Sequence, residues 1–161
     1  MNANKDEDEN SDSRPDLDSH ANMVILGQHC YIISSSDRHA EVNAFPREVG
    51  RMKGVPIVDA AIVYDCSYSM KTYLLIVRNA FYVQSMTNNL IPPFITREAG
   101  LEVREIPKIH VKELNVEDHS IYFLYESLRI PLSLNGIFLS FPTRRPTTQD
   151  LIDVIPVLIT P

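Results

Sequence analysis

The chain has no apolar run near the ~18–20 residues that a membrane-spanning helix requires, no Cys-x-x-Cys pair and no Asn-x-Ser/Thr site. Its first residues carry no basic-then-apolar leader pattern. Only two cysteines occur, Cys30 and Cys66, too few for a disulfide framework. These absences argue against a secreted disulfide scaffold and against membrane insertion. They lead us to expect a soluble protein of a reducing, cytoplasmic compartment. Basic residues are scarce as well, 15 Lys and Arg against 21 Asp and Glu, for a net charge of −6. Seven acids against two bases leave residues 1–18 at −5, so the rest of the chain carries only −1. A nearly neutral body lacks the basic face that direct nucleic-acid binding needs. An acidic stretch without aromatics cannot bury enough apolar surface to order itself, so residues 1–14 read as a disordered acidic tail.

What remains is enough for one domain: 161 residues in all, 44% of them hydrophobic. The pattern is all-β. Met23–Leu26, Cys30–Ser36 and Ala40–Phe45 are short strand candidates, with a turn at Ser34-Ser35-Ser36-Asp37. Ile57–Asp65 and Thr72–Val77 are the strongest strands, joined by a hairpin tip at Cys66–Lys71. Val58, Ala60, Ile62 and Tyr64 share one face, Leu74 and Ile76 another, and both faces are apolar enough for a sheet covered on both sides. Ala80–Val83 follows. One short helix is expected over Phe94–Ala99, since Pro92-Pro93 suits its start and Gly100 its end. Leu101–Ile106, Ile109–Val111, Ser120–Leu124, Leu128–Leu134 and Ile137–Phe141 complete the strands, the last two around an Asn135-Gly136 turn. Residues 15–141 are thus read as the β domain, and 142–161 as a linker and C-terminal extension. The apolar end at Pro161 suits a piece of a longer polyprotein or an ordinary terminal strand.

One segment carries chemistry. Asp18-Ser19-His20-Ala21-Asn22 is reached through Leu17 and left through Met23-Val24-Ile25-Leu26-Gly27, so an aspartate closes a short apolar strand and a small hydroxyl residue follows at once. Peptide hydrolysis by carboxylates needs two of them sharing a proton. One, ionised, takes a proton from the attacking water, while the other, protonated, hydrogen-bonds the scissile carbonyl. The segment occurs once, so a second chain must supply the second carboxylate.

The segment resembles the Asp-Ser/Thr-Gly-Ala loop of retroviral-type aspartic proteases. Asn79-Ala80-Phe81-Tyr82-Val83-Gln84-Ser85-Met86, followed by Asn89-Leu90-Ile91-Pro92-Pro93-Phe94-Ile95, is similar to the strand, Asn-Leu-Leu and short-helix segment of proteases in copia-type LTR retrotransposon polyproteins. The resemblance covers roughly residues 15–110. It implies a retropepsin-like closed barrel and a homodimer acting on a peptide or polyprotein substrate. Asp18 would be the catalytic carboxylate and Ser19 the brace of the loop, with His20, Ala21 and Asn22 completing the active-site loop. It implies no metal and no other cofactor. A flap over the substrate is also implied, at the Cys66–Lys71 tip or the Arg47–Gly54 loop. His20 departs from the pattern: it stands where glycine lets two backbones approach closely.

Blander readings stand beside these. Asp18 is also what a solvated turn-capping aspartate looks like, and a fold that dimerises or binds peptides without cleaving them would carry the same strands. His20, His29, Cys30 and His39 are close in sequence, but their spacing fits no zinc motif. Arg144-Arg145 between prolines reads as a solvated linker.

Overall fold

The computed structural model describes residues 12–19, 21–43, 51–105, 118–136 and 138–161; the side chains of residues 42, 43, 51–53 and 135 fall outside that description. The expected tail up to residue 11, His20, the end of the Ala40–Phe45 strand, residues 47–50 of the Arg47–Gly54 loop and the Ile109–Val111 strand lie outside the described residues.

The chain is mainly β, as its alternation predicts. It runs β1 (Asp12–Ser13), β2 (Pro15–Leu17), β3 (Ile25–Leu26), β4 (Tyr31–Asn43), β5 (Arg51–Asp65), β6 (Thr72–Tyr82) and β7 (Asn89–Ile91). Helix α1 (Pro93–Glu98) and strand β8 (Glu102–Glu105) follow. Then come β9 (His119–Phe123), β10 (Leu128–Pro131), β11 (Ser133–Asn135), β12 (Phe138–Ser140), β13 (Thr143–Arg144), α2 (Thr148–Asp153) and β14 (Pro156–Leu158). Among the described residues eleven strands share one sheet, in the order β1-β13-β5-β6-β3-β7-β2-β12-β11, with β14 added to β6 and β4 to β5. A smaller sheet has the order β10-β9-β8. Ile62, Tyr64, Leu75 and Val77 from the large sheet and Val103, Ile121, Phe123 and Ile130 from the small one bury into a single apolar cluster. Tyr64 meets Phe141 there edge to face, with ring centroids 6.0 Å apart.

The expected closed barrel is not found among the described residues; the hydrogen-bonded order ends at β1 and β11. The reason is local. Asp12 and Ser13 pair Arg144 and Thr143, and Asp16 and Leu17 pair Ser140 and Leu139 in the same antiparallel register. Between these two pieces stand Pro15 and Pro142, which bring no amide hydrogen to a ladder.

β6 runs unbroken where the sequence suggested two strands. Its register against β5 jumps between Val58 and Ala60, and Asn79 sits at φ 53°, its amide donating to Asp59 Oδ1 at 2.9 Å. The polar Arg78-Asn79 pair is a bulge, not a strand end. The Ser34–Asp37 turn is likewise absent: β4 passes through, with a register shift between Ser35 and His39. Helix α1 starts and stops as its prolines and Gly100 predict, with Gly100 at φ 86° donating its amide to Arg97 O at 2.9 Å.

A second helix, α2, was not expected. Thr147 caps it, accepting from Asp150 N at 3.2 Å while Thr147 N donates to Asp150 Oδ2 at 2.8 Å. Leu151 and Val154 pack over Ala61, Val63 and Leu74, the sheet face opposite the main core. Both faces of the β5–β6 sheet are therefore covered, as predicted, but by a segment taken for a linker. Residues 142–161 supply β13 and β14 to the large sheet, and Arg144 forks onto both Asp65 (Nε to Oδ2, 2.7 Å) and Asp150 (Nη1 to Oδ2, 2.6 Å). Among the described residues no helix is long and apolar enough to cross a membrane.

Candidate active-site loop

The loop of interest is set by what lies between its stems. β2 leads into Asp18 and β3 leads away from the loop, yet the two do not pair with each other. β7 is inserted between them. It runs parallel to β2, with Pro15, Asp16 and Leu17 opposite Asn89, Leu90 and Ile91, and antiparallel to β3, with Ile25 opposite Leu90. β3 in turn pairs in parallel with β6 through Ile25 and Phe81. Loop 18–24 must therefore arch over the end of β7. Leu17, Val24, Leu26 and Ile91 are buried beneath it, which anchors both stems in the core.

Asp18 caps this arch. Its amide donates to Ile91 O at 3.3 Å, and its carbonyl accepts the Ala21 amide at 3.3 Å, closing a tight turn. Asp18 and Ala21 are half-buried; Ser19 and Asn22 are exposed. The structure thus brings Asp18, Ser19 and Ala21 into one turn at the surface with Asn22 next to it, while His20 lies outside the described residues. Asp16, two residues earlier, points elsewhere: it is buried at 5% exposure, beside Ser140 in the ladder, and its carboxylate takes Arg14 Nε at 2.8 Å. An ion-paired, buried carboxylate is a structural group, and Asp18 is the carboxylate that the strand end presents.

Two residues that sequence reasoning did not single out build the base of the loop. Gly27 ends β3 where the backbone of Met86 passes. A Cβ on Gly27 would stand 2.2 Å from Met86 O, so only glycine fits, and Gln28 N donates to that same oxygen at 2.8 Å. Asn89 is fully buried and accepts Gly27 N at 2.8 Å on its Oδ1. The available signal was a polar amide opening the apolar Asn89-Leu90-Ile91 strand, since a buried amide has to find partners.

The two hairpins named as flap candidates differ. The Cys66–Lys71 tip is closed by Cys66 N to Lys71 O at 2.8 Å and Met70 N to Cys66 O at 2.9 Å. It is also fastened to β10: Tyr68 hydroxyl donates to Arg129 O and accepts Arg129 N at 3.2 Å. The β4–β5 hairpin is long, with arms reaching Asn43 and Arg51, and Tyr31, Ile32 and Ile33 on β4 are exposed. Two clefts, of about 140 and 180 Å³, lie at Ser34–Asp59 and at Ser13–Pro142, and Asp18 lines neither of these two.

His29 contacts Gln28, His39 contacts Asp37 O, and Cys30 Sγ donates to Gly27 O at 3.4 Å. Among the described residues no group of three or more His, Cys, Asp or Glu could hold a metal ion. Burial pushes the Cys30 thiol up to about 11, with Arg145 pulling weakly the other way. No family model matches the chain, and neither a curated protein nor a solved structure matches it.

Proposed function

We propose that this chain is a retropepsin-like aspartic endopeptidase domain of a copia-type retroelement, acting in the cytoplasm on its own polyprotein. It works as a homodimer with Asp18 from each chain. The observation that carries this reading is the place of Asp18: at the end of β2, on a half-buried surface turn whose stems are split by β7. A carboxylate so placed is fixed through its backbone to Ile91 and stays half-buried at the surface. Two such turns meeting on a two-fold axis give a proton-sharing pair. Ionised, one carboxylate takes a proton from water. Protonated, the other donates to the peptide carbonyl, and the two exchange roles as the amine leaves. Ser19, next in the turn, braces one loop against its copy. The β4–β5 hairpin serves as the flap, because it follows the loop in the chain and its arms are long, whereas the Cys66–Lys71 tip is tied to Arg129.

The reading is tested by Asp18→Asn in a chain that carries its flanking polyprotein, with processing followed on a gel. Loss of self-cleavage in an intact dimer supports it; unchanged processing removes Asp18 from the chemistry.

A second reading is favoured by His20, which stands in the sequence where closely approaching loops leave a glycine. In it the fold dimerises or binds peptides without cutting them. His20→Gly separates the two: cleavage that appears only in the variant identifies a silenced protease.

A further inference from the structure

The buried carboxamide of Asn89 reaches both sides of the Asp18 loop at once, just ahead of β2 and just past β3. Its Oδ1 accepts the Gly27 amide at 2.8 Å, on the exit side. Its Nδ2 donates to Ser13 Oγ at 3.4 Å, on the entrance side, and Ser13 Oγ passes the chain on to Thr87 O at 3.1 Å. The Asn89 backbone amide donates to Arg14 O at 3.3 Å. Asn89 is 0% exposed, so water replaces none of these bonds. Gly27 N must find an acceptor, which fixes which end of the carboxamide faces β3 and leaves the NH₂ for Ser13.

We infer that Asn89 is a positioning residue: through Gly27 and Ser13 it fixes the spacing of the two stems and thereby the place of the Asp18 carboxylate. The inference deepens the protease reading and rests on it for its functional meaning. The geometry supplies the reason. β2 and β3 share no ladder, so their separation is set only by what stands between them. Backbone pairing of β7 fixes it along one direction. The carboxamide adds a crosslink between Ser13, two residues ahead of β2, and Gly27, at the end of β3. The close pass of Gly27 over Met86 O leaves no slack for a looser arrangement. A half-site that must align with its copy needs such a crosslink, since small displacements of a reacting group cost large factors in rate.

The test uses amide hydrogen exchange on the full chain, with Gly27 N and Asp18 N as reporters. Asn89→Leu removes both arms and leaves an apolar side chain of similar size in their place. Ile130→Val, at a buried position of β10, is the control that loosens the fold elsewhere. Exchange at Gly27 N and Asp18 N should rise about tenfold in Asn89→Leu relative to the control, with the β5–β6 amides unchanged. Exchange that rises everywhere alike, or at neither reporter, overturns the inference. Should Asn89→Leu fail to fold, Ser13→Ala, which cuts the entrance arm alone, decides by the same comparison at Asp18 N and Asn89 N; no selective rise overturns it. These readouts need no activity, so loss of the protease reading by Asp18→Asn is a separate result. In cleaving protein, Asn89→Leu should lower kcat with KM nearly unchanged, and a change confined to KM contradicts positioning.

Discussion

Gly27 and Met86 approach so closely that a single methyl group on Gly27 would sit 2.2 Å from the Met86 carbonyl oxygen. That crossing is where the segment leading to β7 passes under the exit of the Asp18 loop. It ties down a loop whose stems do not pair with each other, and it makes the glycine a point of failure.

Gly27→Ala should therefore destabilise the fold strongly for so small a change. The clash is with backbone, which cannot swing aside, and relief would break the Gln28 N to Met86 O bond of 2.8 Å. A loss of roughly 2–4 kcal/mol follows from overpacking plus a broken buried hydrogen bond. Chemical denaturation checks it. Gly136→Ala, at a φ of 61° with open space around it, should lose only about 1 kcal/mol.

Acid should loosen the C-terminal segment first. The Arg144 guanidinium holds the Asp150 carboxyl down at about 2 against an ordinary 3.8, despite burial that works the other way, and it lowers Asp65 as well. A carboxyl with a depressed folded-state value binds protons more readily when unfolded. Its stabilisation is complete above pH ~4 and is lost as pH falls through ~2, worth about 1–2 kcal/mol. Denaturation between pH 5 and 2 should show this slope, and Asp150→Asn should flatten it. Arg144→Lys should not substitute, because one ammonium cannot fork onto two carboxylates.

Leu151→Ala should cost about 1–2 kcal/mol by uncovering Ala61, Val63 and Leu74, as expected for a half-buried leucine. Unchanged stability would mean that α2 is not needed to cover that face.

The two thiols should separate by reactivity. Cys30 stays neutral well above physiological pH because burial pushes it to about 11. Burial also raises Cys66, but hydrogen bonds from Ser69 and Tyr68 in its turn outweigh it and bring this thiol below its ordinary value. Both thiols are buried, at 3% and 2% exposure, so iodoacetamide on the folded chain at pH 8, mapped by peptide mass, should mark both slowly, with Cys66 ahead of Cys30.

The contrast between α1 and α2 shows what a single sequence discloses. Pro92, Pro93 and Gly100 are local signals, and α1 forms between them. Thr147 and Asp150 were an equally local capping box, hidden because six helical residues between prolines look like a break. At Ser34–Asp37 and Arg78-Asn79, polar residues that commonly turn a chain make bulges instead, because β5 offers both neighbours a partner. The Asp18 turn was visible in its residues. Its foundation was not: Asn89 reaches Gly27 and Ser13 across 62 and 76 residues of sequence. No local pattern encodes a contact at that range, and only the pairing of β7 with both stems brings these groups together.

The central claim is that Asp18 supplies one carboxylate of a shared pair. The most direct measurement is self-processing of the chain within its flanking polyprotein across pH 4–8, for wild type and Asp18→Asn, with dimer mass recorded alongside. The account predicts cleavage favoured by acid in the wild type and at least ~100-fold slower cleavage in an Asp18→Asn dimer of unchanged mass. Equal processing by the two chains, or no cleavage by a folded wild-type dimer at any pH, would contradict it.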